Sequence, residues 1–184
     1  MGYIIREMRF EDWQQVKEIY RQGIETGIST FESEVPSWQE WDAAHIRSCR
    51  LVACRDGEIL GWAALSPVSS RAVFSGVAEV SIYVGAEYRG QGFGKALLTK
   101  IIACSENEGY WTLQAEIFAE NKASMELHKR CGFRVVGVRE KIGRMKNGEW
   151  RDLTILERRS KKITAGMPLA KNLNRGFFVI NDKE

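Results

Sequence analysis

Arg89-Gly-Gln-Gly-Phe-Gly94 lies between a run that is typical of a strand, Val77-Ala-Glu-Val-Ser-Ile-Tyr-Val84, and one that is typical of a helix, Lys95-Ala-Leu-Leu-Thr-Lys-Ile-Ile102. The free N–H groups of a first helical turn point at one spot, and the helix dipole favours negative charge there. Glycines in the turn let the backbone approach an anion closely. The sequence therefore predicts a phosphate-bearing ligand at this turn.

Two familiar phosphate-binding motifs do not fit the spacing. Arg89 stands where a P-loop has its first glycine, and Ala96 stands where it has the magnesium-binding hydroxyl. A dinucleotide fingerprint that begins at Gly90 needs a third glycine where this chain has Lys95. A nucleoside triphosphate and a dinucleotide are thus excluded on motif grounds, while a glycine-rich connection without a ligand stays open.

A different pattern, Arg-x-x-Gly-x-Gly at residues 89–94, resembles the coenzyme A pyrophosphate loop of the GCN5-related N-acetyltransferase (GNAT) family. Asn121-Lys-Ala-Ser-Met-Glu-Leu-His-Lys-Arg-Cys-Gly-Phe133 resembles the second acetyl-coenzyme A segment of that family. The strand 77–84 and the late Gly148-x-Trp150-x-Asp152 are similar to the phosphinothricin and methionine sulfoximine N-acetyltransferase branch. The resemblance covers roughly residues 3–158.

The resemblance implies that acetyl-coenzyme A is the acetyl donor. Backbone N–H groups near the end of the strand 77–84 would then hold the thioester and the pantetheine arm, and one of them would stabilise the developing oxyanion. The expected cofactor-binding residues are Ile82, Tyr83, Val84, Arg89, Gly90, Gln91, Gly92, Phe93, Gly94, Lys95, Asn121 and Ser124. No metal is expected, because the four cysteines and two histidines have no zinc-ligand spacing.

Glu79 is the predicted catalytic base. Acetyl transfer to an amine requires that a base remove a proton before the nitrogen attacks. Alternation along the strand puts Glu79, Ser81 and Tyr83 on one face. A carboxylate in an apolar strand is costly unless it is paired or hydrated, and burial raises its pKa. A structural carboxylate held by a neighbouring arginine is the alternative.

His128 is the second predicted catalytic residue. Many members of the family carry a Tyr four residues before the Gly of Gly132-Phe133, and this chain has His128 there, as the phosphinothricin branch does. Imidazole serves as an acid or a base near neutral pH, so His128 would protonate the leaving thiolate. A histidine that only packs or hydrogen-bonds is the alternative, and water would then supply the proton.

The acceptor site is predicted from the loop before the Glu79 strand, from the loop between the first two helices and from the strand itself. Arg71 would pair a substrate carboxylate through two parallel hydrogen bonds. Two residues between the first helices match the family region that closes over the acceptor. The full predicted set is Phe31, Glu32, Ser69, Ser70, Arg71, Glu79, Val80 and Ser81.

The order of predicted elements indicates a mixed α/β (α+β) fold. A strand, two helices, a hairpin around Asp56-Gly57 and a strand–helix–strand–helix–strand–strand series follow one another. Pro36 is predicted at the first position of the second helix. The resemblance implies a twisted, mostly antiparallel sheet flanked by helices, with the cofactor between the two central strands. Residues 1–159 form the predicted domain. Residues 160–184 form an extension, interpreted as disordered or as docked through Phe177–Ile180.

The composition limits the classes of protein to which this chain can belong. The 184 residues with 44% hydrophobic content suffice for one domain. A net charge of +3, with dispersed basic residues, predicts no nucleic-acid partner. Absence of a signal peptide and of an apolar run near ~20 residues predicts no membrane span. We expect a cytoplasmic protein with four reduced cysteines, and the resemblance implies a homodimer.

Three functions follow as hypotheses. The first is an N-acetyltransferase that moves an acetyl group from acetyl-coenzyme A to the primary amine of a small amino acid or analogue, of the phosphinothricin, methionine sulfoximine or methionine sulfone type. The second is acetylation of a protein or peptide, which needs an open groove. The third is an acyl-coenzyme A-binding module without catalysis, against which an acid in the central strand argues.

Overall fold

A computed structural model describes residues 2–163 as four helices and seven strands. Short 3-10 turns at Phe10–Asp12, Ala72–Phe74 and Ala86–Tyr88 precede α1, β4 and the glycine-rich turn. The elements, in chain order, are β1 Ile4–Glu7, α1 Trp13–Glu25, α2 Trp38–Ala44, β2 Leu51–Arg55, β3 Glu58–Pro67, β4 Val77–Val84, α3 Phe93–Asn107, β5 Thr112–Phe118, α4 Lys122–Arg130, β6 Arg134–Arg144 and β7 Trp150–Arg159.

The strands form one sheet in the order β1-β2-β3-β4-β5-β7-β6. Every neighbouring pair is antiparallel except β4 and β5, which are parallel. The connection between β4 and β5 passes through α3, as a parallel pair requires. The predicted mixed, mostly antiparallel sheet flanked by helices is therefore confirmed.

Alternation along the strands builds a hydrophobic core on each side of the sheet. On one side, α3 buries Leu97, Leu98 and Ile101 against β3, β4 and β5. On the other side, α1 and α2 enclose a cluster that is rich in aromatic rings, including Trp41 and Trp62. The pattern predicted for β4 is confirmed, because Val80 belongs to the α3 side and Tyr83 packs on the α1 side.

The start of α2 differs from the prediction. Pro36 precedes the helix, and Ser37 is the N-cap. The Ser37 hydroxyl accepts the Glu40 N–H, while the Glu40 carboxylate accepts the Ser37 N–H at 2.8 Å. This capping box satisfies two backbone donors at once, so the serine outcompetes the proline as the start of the helix.

The expectation of four reduced cysteines is wrong for two of them. Cys49, just before β2, and Cys104, on α3, form a disulfide across a sequence separation of 55 residues. Cys54 and Cys131 are free thiols. Spacing along the chain gives no sign of this pair, because only the packing of α3 on the sheet brings the two Cα atoms to 5.7 Å.

The first residues after β7 pack against the end of α3. The Ser160 hydroxyl donates to Glu106 at 3.0 Å, and the Lys162 ammonium lies 3.0 Å from the same carboxylate. The predicted boundary at residue 159 thus coincides with the last residue of β7, but the residues that follow it still pack on α3. The prediction for Phe177–Ile180 lies outside the described residues. No helix within residues 2–163 is long and apolar enough to cross a bilayer.

Reduction of the Cys49–Cys104 disulfide should lower the free energy of unfolding by about 2–4 kcal/mol, because the bond closes a long loop in the unfolded chain. Urea unfolding with and without dithiothreitol measures this difference. Cys131→Ser is the matched control and should retain the sensitivity to reductant, whereas Cys104→Ser should abolish it. Alkylation of all four cysteines in the native, non-reduced protein would contradict the assignment.

Candidate active site

The central feature of the site is a gap between β4 and β5. The two strands pair over three residues each, Val77–Glu79 of β4 with Thr112–Gln114 of β5. Beyond that point β4 stays paired with β3 as far as Val84, while β5 turns away with β7 as far as Phe118. In residues 2–163, the β5-facing edge of β4 from residue 80 to 84 therefore has no strand partner. Alternate N–H and C=O groups of that edge face the gap.

The glycine-rich turn closes one end of the gap. Gly92 is the N-cap of α3, with a φ of 90°, a left-handed conformation in which a side chain would be strained. The first helical hydrogen bond runs from the Ala96 N–H to the Gly92 C=O. The N–H groups of Phe93, Gly94 and Lys95 precede it and have no intrahelical partner. The turn thus presents three backbone donors and the positive end of the helix dipole.

Side chains stabilise the shape of this turn. Arg89 Nε donates to the Val84 carbonyl at 3.3 Å, and Gln91 Nε2 donates to the Glu87 carbonyl at 2.8 Å. A Cβ on Gly94 would lie 3.2 Å from Leu127 of α4, so this glycine lets α3 and α4 approach each other. The predicted Arg-x-x-Gly-x-Gly segment therefore forms the strand–turn–helix that an anion site requires.

Glu79 lies at the point where the two central strands separate. It is the last residue of β4 that pairs with β5, and its side chain is half-buried on the α1 side of the sheet. Burial raises the pKa of Glu79 to about 7, with a further increase from the Glu116 carboxylate and an opposing effect of Arg139. A carboxyl group that ionises near neutral pH is well suited to exchange a proton with an amine.

His128 is the buried residue of α4. The side chain is only 2% exposed, and its ring packs edge-on against Phe133. Nδ1 donates to the Ser124 carbonyl at 2.8 Å, while buried Nε2 has no partner within residues 2–163. Burial lowers the pKa of His128, so the ring is neutral and carries its proton on Nδ1. In this tautomer Nε2 accepts a proton rather than donating one.

Asn121 joins α4 to the loop that follows α1. Its Oδ1 accepts the Ser124 N–H at 3.1 Å as the helix N-cap, and its Nδ2 donates to the Ile28 carbonyl at 3.2 Å. Both predicted cofactor residues of this segment are thus at the first turn of α4, where Asn and Ser are favoured for capping. The hydrogen bond from Asn121 to the Ile28 carbonyl also holds the loop 27–35 against α4.

The loop 27–35 lies over the end of β5 and against β6. The Phe31 ring packs on Phe118 at 4.7 Å between centroids, and a Cβ on Gly143 would lie 2.3 Å from the Phe31 ring. Burial raises the pKa of Tyr20 and of Tyr83, and the Thr30 side chain of the loop opposes both shifts. Glu32 of the same loop contributes to the rise in pKa at both tyrosines. The loop therefore covers the side of the gap that Glu79 faces.

The remaining predicted acceptor residues are divided between the surface and the core. Ser69, Ser70 and Arg71 belong to the exposed loop before β4, where the Arg71 guanidinium stacks over the Phe74 ring. Ser81 shares the face of Glu79. The Val80 side chain is 6% exposed and points into the α3-side core, so only its backbone borders the gap.

Two charged residues and one glycine of this region were not predicted from the sequence. Glu116 on β5 and Arg139 on β6 form an ion pair at 2.7 Å that acts on Glu79. Alternation in β5 already places Glu116 on the face of Gln114, the residue that pairs with Glu79, and this signal was present in the sequence. The contacts of Arg139 and Gly143 depend on the register of β6, which has two irregularities.

Comparison with known proteins agrees with this geometry. The model of the acetyltransferase (GNAT) family matches residues 10–133. A phosphinothricin N-acetyltransferase from Alcaligenes faecalis is 32% identical over 84% of this chain and 81% of its own length. An L-methionine sulfoximine/L-methionine sulfone acetyltransferase from Pseudomonas paraeruginosa is 29% identical, over 85% of this chain and 94% of its own.

Solved structures give the same result. A phosphinothricin acetyltransferase from Sinorhizobium meliloti in complex with acetyl-coenzyme A superposes with a TM-score of 0.80 at 29% identity, covering 91% of this chain and 94% of the other. A ribosomal-protein-alanine N-acetyltransferase from Brucella melitensis also has a TM-score of 0.80, at 28% identity, covering 85% of this chain and 99% of the other. The strand gap, the Arg-x-x-Gly-x-Gly turn and these likenesses agree, and the chain belongs to the GNAT family of acetyltransferases.

Proposed function

We propose that this protein transfers an acetyl group from acetyl-coenzyme A to the primary amine of a small amino acid or analogue, of the phosphinothricin, methionine sulfoximine or methionine sulfone type. The observation that carries the proposal is Glu79, half-buried where β4 and β5 separate, with a pKa of about 7. The names of the Alcaligenes and Pseudomonas relatives support the class of acceptor.

The residues present fit acetyl-coenzyme A. The unpaired edge of β4 at Ile82, Tyr83 and Val84 offers backbone groups to an amide-bearing arm, which would lie there as an added strand. The N–H groups at the start of α3 would hold the pyrophosphate, with Arg89 and Lys95 as nearby cations. Bound in this way, acetyl-coenzyme A supplies an activated thioester carbonyl at the gap.

Glu79 is the proposed general base. In its ionised form it takes a proton from the ammonium group of the acceptor, which gives the nitrogen the lone pair that attacks the carbonyl carbon. Backbone N–H groups of β4 that face the gap would donate to the carbonyl oxygen as negative charge develops on it. Because the carboxyl of Glu79 ionises near pH 7, the base becomes competent as the pH rises through that value.

We assign His128 a structural role in the resting enzyme. Its proton is on Nδ1 and is donated to the Ser124 carbonyl, and the bare Nε2 has no proton to give to a leaving thiolate. Protonation of the thiolate from water is consistent with this geometry. The ring instead stabilises the last turn of α4 and the entry into β6 through Phe133.

The acceptor pocket is proposed on the Glu79 face of the gap, below the loop 27–35. Phe31 and Glu32 would contact the acceptor from the loop, and Ser81 from the strand. Ser69, Ser70 and Arg71 would approach from the loop before β4, with Arg71 pairing a carboxylate. The contacts that anchor the loop 27–35 favour a small acceptor over an extended peptide.

A second candidate, acetylation of a protein N-terminus, is supported by the likeness to the Brucella ribosomal-protein-alanine N-acetyltransferase. Both candidates use the same donor and base and differ in the acceptor.

We propose a cytoplasmic location for either activity, where the donor is available. Cell fractionation tests this location: recovery in the cytosolic fraction would support it, and recovery in the periplasmic or membrane fraction would contradict it.

Acetyl transfer should appear as release of free thiol from acetyl-coenzyme A with L-phosphinothricin, L-methionine sulfoximine or L-methionine sulfone. We expect kcat/KM to rise with pH through about 7 and then level off, because Glu79 is protonated below that value and ionised above it. Glu79→Gln should reduce kcat by about 10²–10⁴-fold with unchanged affinity for acetyl-coenzyme A, as expected for loss of a general base.

The control is Glu126→Gln, which removes one carboxylate from the exposed side of α4 and should be neutral. Turnover with short peptides alone would favour the second candidate. Binding of acetyl-coenzyme A without turnover of any acceptor, amino acid or peptide, would indicate a non-catalytic module. Full activity of Glu79→Gln would remove Glu79 as the base.

Gly143→Ala tests the acceptor loop. The new methyl group would overlap the Phe31 ring, so the ring must move from its place against β6 and Phe118. We expect the KM for the acceptor to rise about tenfold or more, equivalent to about 1.4 kcal/mol, with the KM for acetyl-coenzyme A unchanged. Gly137→Ala is the matched control on the same strand, since its Cβ meets no atom within 4 Å. Equal kinetics of the two variants would contradict the assignment.

We also propose a homodimer formed through β6. This edge strand exposes apolar side chains along its length, and Val138 is 55% exposed. Open edge strands with such side chains tend to pair with another chain. The proposed interface residues are Val135, Val136, Val138, Ile142 and Trp150.

Light scattering after size exclusion should give twice the chain mass of 21.0 kDa. The double variant Val136→Glu/Val138→Glu should yield the monomer, because two carboxylates at the interface cost too much to desolvate. Ile4→Glu, on the opposite edge strand and similarly exposed, is the control and should remain dimeric. A wild-type monomer at every concentration tested would contradict the proposal.

A further inference from the structure

Three charged side chains from three strands lie on the α1 side of the sheet around the gap. Glu79 of β4 pairs with Gln114, and Glu116 follows two residues later on the same face of β5. Arg139 comes from β6, which is separated from β5 by β7. Its guanidinium crosses β7 and lies 2.7 Å from a Glu116 carboxylate oxygen. The arginine thus connects the outer strand of the sheet to the neighbourhood of the base.

Glu116 and Arg139 are the ionised groups that act on Glu79 within residues 2–163, and they act in opposite directions. The residues that pair with Glu79 in the neighbouring strands are uncharged. On β3 the residue opposite is Ser66, and on β5 it is Gln114. Along β4 and on α1 the same face carries Ser81, Tyr83 and Tyr20, and the pKa of each tyrosine is raised, so both stay protonated.

We propose that Glu116 and Arg139 are positioning residues that adjust how readily Glu79 takes a proton from the acceptor amine, Glu116 favouring proton uptake and Arg139 opposing it. The inference rests on the proposed role of Glu79 as the base. Burial raises the pKa of Glu79, Glu116 raises it further and Arg139 lowers it, so replacing either member of the pair should change the ionisation of the base. Both residues act from strands of the sheet rather than from the loop 27–35.

The pair can act in this way because both side chains are partly exposed and are held together by their ion pair. The Glu116 side chain is 28% exposed and that of Arg139 is 52% exposed, so either can be replaced without leaving a buried charge. Such partly exposed charges act over several ångströms, and salt screens their effect. The influence on Glu79 should therefore weaken at high ionic strength.

Four variants test the proposal: Glu116→Gln, Arg139→Gln, the double variant and the control Glu126→Gln on the other side of the sheet. The readout is the acidic limb of kcat/KM for the acceptor at saturating acetyl-coenzyme A. Glu116→Gln should move the limb to lower pH and Arg139→Gln to higher pH, each by about half a unit or more. The double variant should return towards the wild type, and Glu126→Gln should leave the limb unchanged.

Carbon-13 NMR of labelled glutamate side chains gives the same comparison without turnover, with Glu79→Gln identifying the resonance. Shifts of the Glu79 titration in opposite directions support the proposal even in an enzyme whose acceptor is unknown. Shifts in one direction, or none, overturn it. A raised KM for the acceptor in Arg139→Gln with an unchanged limb also overturns it, because Arg139 would then bind the acceptor. Failure of the proposed role of Glu79 as the base would give a different result, because Glu79→Gln would then remain active.

Discussion

The separation of β4 from β5 is the constraint on which the rest of the site depends. These strands form the single parallel pair of the described sheet, and they share only three register positions before they diverge. Backbone groups on an unpaired strand edge require other partners. An extended ligand with amide groups meets that requirement, and the N-terminus of α3 lies where such a ligand would need a partner for its phosphates. One irregularity of the sheet thus creates both halves of the cofactor site.

The same gap explains the properties of Glu79. A carboxylate within a continuous sheet under two helices would be fully buried and would cost stability without any use. At the end of the shared register it is half-buried, desolvated enough to ionise near pH 7 and open enough to meet an amine. Glu116 is brought near it because β5 is the strand from which β4 separates. The position of the base and its ionisation therefore have one structural origin.

Motifs that are local in sequence can be recognised from the sequence alone. The strand, the glycine-rich turn and the helix are contiguous, so their hydrogen-bond needs are decided within about 30 residues. Contacts between segments that are distant in the chain could not be predicted from the sequence. The Cys49–Cys104 disulfide, the fit of Phe31 on Gly143 and the Glu116–Arg139 pair each join parts of the chain that only the sheet order brings together. The start of α2 was missed for a local reason, the capping box at Ser37.

The sequence by itself determined the mixed fold, the anion-binding turn and the face of β4 that carries Glu79, because alternation and glycine placement are properties of neighbouring residues. The tertiary structure decided how far β4 and β5 stay paired, and hence where Glu79 sits relative to the gap. It also decided which nitrogen of His128 carries the proton, since that depends on the Ser124 carbonyl one turn earlier and on burial under Phe133. Ionisation depends on the solvent and the charges around a group, and these are set by packing rather than by position in the chain.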